Sequence, residues 1–191
     1  MAKSYVVTFA GDKVGLIVRG KKSPAHEPGV MEQHADVILP DGSPAGFFGE
    51  GNDGSFNKSG LGMDGTVYDF SELRKHRPYY IDCATARGYG VLSTFLIFAV
   101  SATEAKKFSD YWGGLDKSPG SFNILGGNCS TRASSSFQAA GILSGGIPGL
   151  DTPNNLYLQL HREKGKTALV DSGFIGFSPR GSGFDLVVDV P

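Results

Sequence analysis

Residues 34 to 49, HADVIL-PDGS-PAGFFG, constrain the fold more than any other stretch of the chain. An alternating apolar run reaches the turn cluster Pro40-Asp41-Gly42-Ser43, and a second short apolar run returns, the pattern of a β-hairpin. The same arrangement recurs at the start, where YVVTF and VGLIV flank Ala10-Gly11-Asp12-Lys13 and predict a second hairpin. Residues 78–100 supply one or two strands, ending in VLSTFLIFAV. That run is rich in β-formers and too short to cross a membrane. TALVDSGFIGF and FDLVVDV predict the closing strands. Glycine, 28 of 191 residues, is about twice its usual ~7%. Tight turns between short strands account for that excess better than a long-helix bundle does.

Helices are expected between the strands. Ser101-Ala-Thr-Glu104 fits a capping box, in which hydroxyl and carboxylate satisfy each other's free backbone N–H groups. Ala105, Phe108 and Trp112 follow at helical spacing, and Gly113-Gly114 is the predicted stop. A second helix is predicted over about 129–140, ending at Gly141, and Thr152-Pro153 opens a third with Leu156 and Leu160 on one side. The order of strands, helices and strands indicates an α+β fold. With no internal repeat or clean linker, residues 1–191 read as a single domain. Two loops stand out: the polar, Pro-bearing 21–29 and the Gly/Asn/Asp-rich 50–66, long enough to suggest a functional role.

Several function classes lack support. Net charge is −1 and basic residues are dispersed, so no nucleic-acid surface is expected. No Cys-x-x-Cys or His-Glu-x-x-His spacing appears, so neither a metal nor another cofactor is expected. SGLGMDG lacks the strand and helix of a dinucleotide site, and Gly-x-Ser-x-Gly is absent. No basic amphipathic helix points to a membrane surface. MAKSYVVTFAGDK has no apolar core of a classical secretory signal, so synthesis in the cytoplasm without one is expected.

The chemistry-bearing stretch is SFNILGGNCSTRASSSFQAAG, residues 121–141. With Asn128 as N-cap, Cys129 becomes the first residue of its helix. Ala133, Phe137 and Ala140 then place the sulfur on the inward side at the helix N-terminus. Free N–H groups and the helix dipole there favour a thiolate and an oxyanion beside it. Gly126 and Gly127, lacking Cβ, would let a substrate backbone approach. The alternative is packing, since free cysteines are commonly buried. Cys83, in the strand-like YYIDCATA, reads as structural.

Thiolate catalysis needs a proton carrier, most often histidine. His26, His76 and His161 lie in polar or charged surroundings, whereas His34 opens an apolar strand that can hold its ring in one orientation.

HADVILPDGSPAGFFGEG resembles the His-strand-turn-strand-Gly segment of the circularly permuted NlpC/P60-type papain-like hydrolases. FAVSATEAKKFSDYW, SFNILGGNCSTRASSSFQAAGI and DTPNNLYLQL resemble their strand, helix, Asn-Cys catalytic helix and Thr-Pro-led helix. In the permuted group histidine precedes cysteine, as His34 precedes Cys129. The likeness covers about half the chain, roughly 34–50 and 95–160. It implies a permuted papain-like fold, an antiparallel sheet packed against a catalytic helix, with Cys129 as nucleophile and His34 as base and acid. A third, ring-orienting group is left open among Asp36, Glu50 and Asn52.

The function implied is a cysteine amidase or endopeptidase acting through a thioester on a peptide amide of bacterial peptidoglycan. A small example resembles antibacterial type VI secretion toxins, kept with an immunity protein and delivered to a target's periplasm. Two alternatives stand beside it: a lipid-directed acyltransferase or phospholipase of the same fold, and a non-enzymatic binding domain using the 50–66 loop.

Overall fold

The computed structural model describes residues 3–29, 33–49, 63–123, 126–145 and 152–191. Its nine strands are β1 (Lys3–Thr8), β2 (Lys13–Arg19), β3 (His34–Ile38), β4 (Pro44–Gly49), β5 (Met63–Tyr68), β6 (Ser93–Ala99), β7 (Ser121–Phe122), β8 (Leu169–Arg180) and β9 (Gly183–Val190). They form one sheet in the order β1-β9-β8-β6-β2-β3-β4-β5-β7, and the pairings along it are antiparallel. The helices are α1 (Phe70–His76), α2 (Cys83–Gly88), α3 (Ala102–Lys117), α4 (Cys129–Ala139) and α5 (Pro153–Lys164), with a 3-10 turn at Pro78–Tyr80. Among the described residues no helix is long and apolar enough to cross a membrane.

Strand alternation sorts the core onto two faces. Leu16, Val18, Ala35, Val37, Phe47, Leu96 and Phe98 lie with residues of α3, α4 and α5. Ile17, Ile38, Phe48, Phe95 and Ile97 lie with Leu73 of α1 and Ile81. The fold is thus mixed α+β around an antiparallel sheet, as the element order indicated.

The hairpin of β3 and β4 forms with Asp36 opposite Gly46 and Ile38 opposite Pro44. The N-terminal hairpin does not. β1 pairs with β9, while β2 lies between β3 and β6. The side chains explain the exchange. Leu16, Ile17 and Val18 are fully buried and need neighbours on both edges and both faces. β1 alternates with exposed positions, Val6 being 57% exposed, which suits the sheet margin.

Two further expectations are corrected. α3 continues through Gly113-Gly114 to Lys117. Two mid-helix glycines cost about 1 kcal/mol each, but Trp112 and Leu115 on either side are buried at about 1.5–3 kcal/mol apiece. The strand-like stretch around Cys83 is instead the 3-10 turn followed by α2, because Pro78 opens the turn and Asp82 caps the helix by accepting from the Thr85 N–H.

Candidate functional site

A capped helix and a paired strand carry Cys129 and His34. Asn128 caps α4: its Oδ1 accepts from the Thr131 N–H at 2.9 Å and from the Thr131 and Ser130 hydroxyls. Cys129 is therefore the first residue of α4, as the sequence implied, and it is 8% exposed. α4 packs on the Ala35–Val37 face of the sheet. His34 is the first residue of β3 and carries the parity of Asp36 and Ile38, the opposite face. The two side chains meet at the end of that strand, near enough for the Cys129 sulfur and the His34 imidazole to shift each other's ionisation. The β3–β4 pairing begins two residues further in, at Asp36, and the Ala35 N–H is donated to the sulfur.

Asp36 follows His34 on the same side of the strand. Its Oδ1 lies 2.9 Å from His34 Nε2, which leaves Nδ1 as the ring nitrogen for the sulfur. Its Oδ2 accepts from Arg19 Nε at 2.7 Å, and neither partner of this ion pair is exposed beyond 2%. Of the three open candidates, Asp36 contacts the imidazole; Glu50 and Asn52 lie outside the described residues. A turn with Asp41-Gly42 at its tip predicts His34 opposite about residue 49; continuing the observed register sets it opposite Phe48, whose ring stacks on the imidazole with centroids 4.2 Å apart.

The approach of Asp36 depends on Gly46. A Cβ there would lie 2.3 Å from Asp36 Oδ1 and 2.8 Å from the Phe48 ring, so any side chain would displace the carboxylate. This is a position where a strand glycine permits close packing. Gly127 serves the fold in a similar way. Its Cβ would stand 2.9 Å from the Ser121 carbonyl, so the space expected for a substrate backbone is filled by the chain itself. At Gly126, among the described residues, a Cβ would meet nothing nearer than Asn123 Oδ1 at 3.9 Å.

Electrostatics follow from this alternation of charges. Burial raises the Cys129 pKa, but the imidazolium, its hydrogen bond and the Ala35 N–H outweigh that, and the thiol is held below its ordinary range. Burial opposes charge on His34 too; the neighbouring thiolate and the Asp36 carboxylate prevail and push its pKa up to about 10. For Asp36, burial is overcome by His34 and Arg19, which hold the carboxyl below the usual carboxylate value. The arrangement favours a thiolate–imidazolium pair backed by a carboxylate.

The remaining histidines stand apart from it. His26 accepts from the Lys22 N–H through Nδ1, His76 pairs with Glu72 at 3.2 Å, and the ring of His161 stacks on Tyr157. Beside His34, Gln33 fixes the surroundings. It accepts from the Asn154 N–H at the start of α5 and donates to the carbonyls of Pro28 and Gly29. Lys21 draws the same loop and helix together, donating to the His26 carbonyl and to Asn154 Oδ1.

The loop expected at 50–66 ends earlier, since Met63 begins β5; residues 50–62 lie outside the described residues. Arg19, Phe48 and Tyr80 were not identified from sequence. The signal was present for Arg19, a charge at an inward position closing the apolar strand VGLIVR.

No protein-family model and no curated protein matches the chain. Among solved structures it is similar to the crystal structure of a type VI secretion system effector, TseH. The TM-score is 0.49 and identity 14%, over 84% of this chain and 98% of that chain. A likeness of that degree carries no argument about activity.

Proposed function

We propose that this protein is a cysteine hydrolase that cleaves an amide bond, with Cys129 as nucleophile, His34 as proton carrier and Asp36 as the group that orients the ring. The observation that carries this reading is the convergence of Cys129, His34 and Asp36, with the imidazole 2.9 Å from the Asp36 carboxylate and electrostatically coupled to the sulfur. The thiolate attacks the amide carbonyl carbon and forms a C–S bond, and the carbonyl oxygen becomes an oxyanion. Backbone N–H groups opening α4 point toward that oxygen, as the first-turn amides of any helix point beyond its N-terminus. The His34 imidazolium then protonates the departing amine nitrogen, and the C–N bond breaks to leave a thioester. His34, now neutral, takes a proton from water as it attacks the thioester. The carboxylic acid leaves and the thiolate–imidazolium pair is restored. Asp36 holds the ring in the tautomer that this cycle needs.

The substrate proposed is a peptide amide of bacterial peptidoglycan, in the setting of an antibacterial type VI secretion effector held with an immunity protein. Support comes from the sequence resemblance in the order His34 before Cys129 and in the Asn-Cys helix start. The test is incubation of the purified protein and its Cys129→Ser variant with peptidoglycan fragments, with products identified by mass. Fragments released by the parent and absent with the variant are expected. Identical product spectra contradict the assignment on this substrate.

A further inference from the structure

We propose that Arg19 is a positioning residue of this site, fixing the His34 ring from two directions at once and thereby setting the charge state of Cys129. This rests on reading Cys129 and His34 as the reacting pair.

The argument begins with where β2 ends. Arg19 is the last residue of β2 and the cross-strand partner of His34, and only 2% of it is exposed. A buried guanidinium is costly unless its N–H groups are used, and here the fork is divided between two acceptors. Nε donates to Asp36 Oδ2 at 2.7 Å, and Nη2 donates to the Tyr80 carbonyl at 2.9 Å. The guanidinium also lies over the Tyr80 ring, 4.5 Å from its centroid.

Both acceptors bear on the imidazole. Asp36 holds it in the ring plane through Nε2. The Tyr80 ring faces it at 5.8 Å with planes 18° apart, while Phe48 stacks at 4.2 Å. One side chain thus braces an in-plane contact and a contact on the ring face. Lysine could replace the charge but not the planar fork.

Charge balance gives Arg19 its effect on the sulfur. With Arg19 present, the buried series runs cation, carboxylate, imidazolium, thiolate and sums to zero. Without it, the thiolate form leaves a net negative charge in a site with little water. Burial disfavours that state, so the proton returns to sulfur. Among the described residues, the titratable and charged groups facing the cluster come from four elements. They are Arg19 of β2, His34 and Asp36 of β3, Cys129 of α4, and Tyr80 of the 3-10 turn with Arg77 and Tyr79 beside it.

The test is a pH titration of the thiolate by ultraviolet absorbance. It uses a Cys83→Ser parent, so that one thiol reports, together with Arg19→Met and Arg19→Lys variants checked for folding by circular dichroism. The parent is expected to titrate below the ordinary thiol value. Arg19→Met should move the midpoint upward by about one unit or more, about a tenfold loss of thiolate at fixed pH. Arg19→Lys should move it upward by less, and it decides the matter if the methionine variant does not fold. Folded variants that titrate with the parent overturn the role given to Arg19 and leave the reacting pair intact. A parent that titrates at or above the ordinary thiol value overturns the reacting pair, and the Arg19 role with it.

Discussion

Cys129 and Cys83 occupy the same local position, and their thiol pKa values are shifted in opposite directions. Each is the first residue of a helix, and each follows an Asx cap whose side chain accepts from the N–H three residues on. If a helix N-terminus alone made a reactive thiolate, both would qualify. Burial and then the nearby carboxylates of Asp189 and Asp82 push the Cys83 thiol up to about 11, and its Sγ lies 3.3 Å from the Phe174 carbonyl, an acceptor that favours the protonated form. The Cys129 thiol is lowered because an imidazolium and a backbone N–H face it. The caps differ as well, since Asp82 is an anion beside its cysteine and Asn128 is neutral. Partners decide the ionisation, and the helix start supplies geometry.

The largest effect in this comparison is expected from His34→Ala. Removing the imidazolium makes Cys129 resemble Cys83, with burial no longer offset. Hydrolysis should fall by roughly a thousandfold or more, the usual scale for losing a member of such a catalytic group. Reaction of Cys129 with iodoacetamide near neutral pH should fall along with it. His161→Ala, at a ring remote from the site, should leave both unchanged. A His34→Ala variant that keeps parental reactivity breaks the comparison.

A smaller effect separates two glycines, each pressed against one of the two regions. Gly46→Ala directs a Cβ into Asp36 Oδ1, and Gly176→Ala places one 2.9 Å from Cys83 Sγ. Overpacking of this kind costs about 1–3 kcal/mol, so both variants should melt at lower temperature. Only Gly46→Ala should also slow hydrolysis and raise the Cys129 titration midpoint. Equal loss of activity in the two would mean that the site responds to general destabilisation rather than to the position of Asp36.

The contrast between the cysteines also marks what the sequence could and could not disclose. The cap at Asn128, the capping box at Ser101 and Glu104, and the hairpin of β3 and β4 were legible because each rests on contacts within a few residues. The pairing of β1 with β9 was not. Two alternating strands joined by a turn signal favour a hairpin, and only the demand of β2 for neighbours on both edges sends β1 elsewhere. The helix at Cys83 was hidden in a similar way, since Tyr79, Tyr80 and Ile81 favour strand while Pro78 and Asp82 dictate a turn and a cap. In the candidate site, His34 and Cys129 were legible from residue type and setting, and Asp36 stood only as one of three candidates, since nothing in the sequence separated it from Glu50 and Asn52. For Arg19 a charge closing an apolar strand was visible, but its contacts were not, because they follow from the β2–β3 register, which local sequence does not encode.

The most direct test follows both cysteines of the intact protein together. Alkylation rates at Cys129 and Cys83 are measured across pH, with each labelled peptide quantified by mass spectrometry. Cys129, whose pKa is depressed, should gain reactivity as pH rises through a value below the ordinary 9.0 of a thiol. Cys83 should gain it only near pH 11. Hydrolysis, which also needs protonated His34, should appear with the Cys129 thiolate and decline as pH passes about 10. If the two cysteines label with one common midpoint, or Cys83 leads, Cys129 is not a poised thiolate.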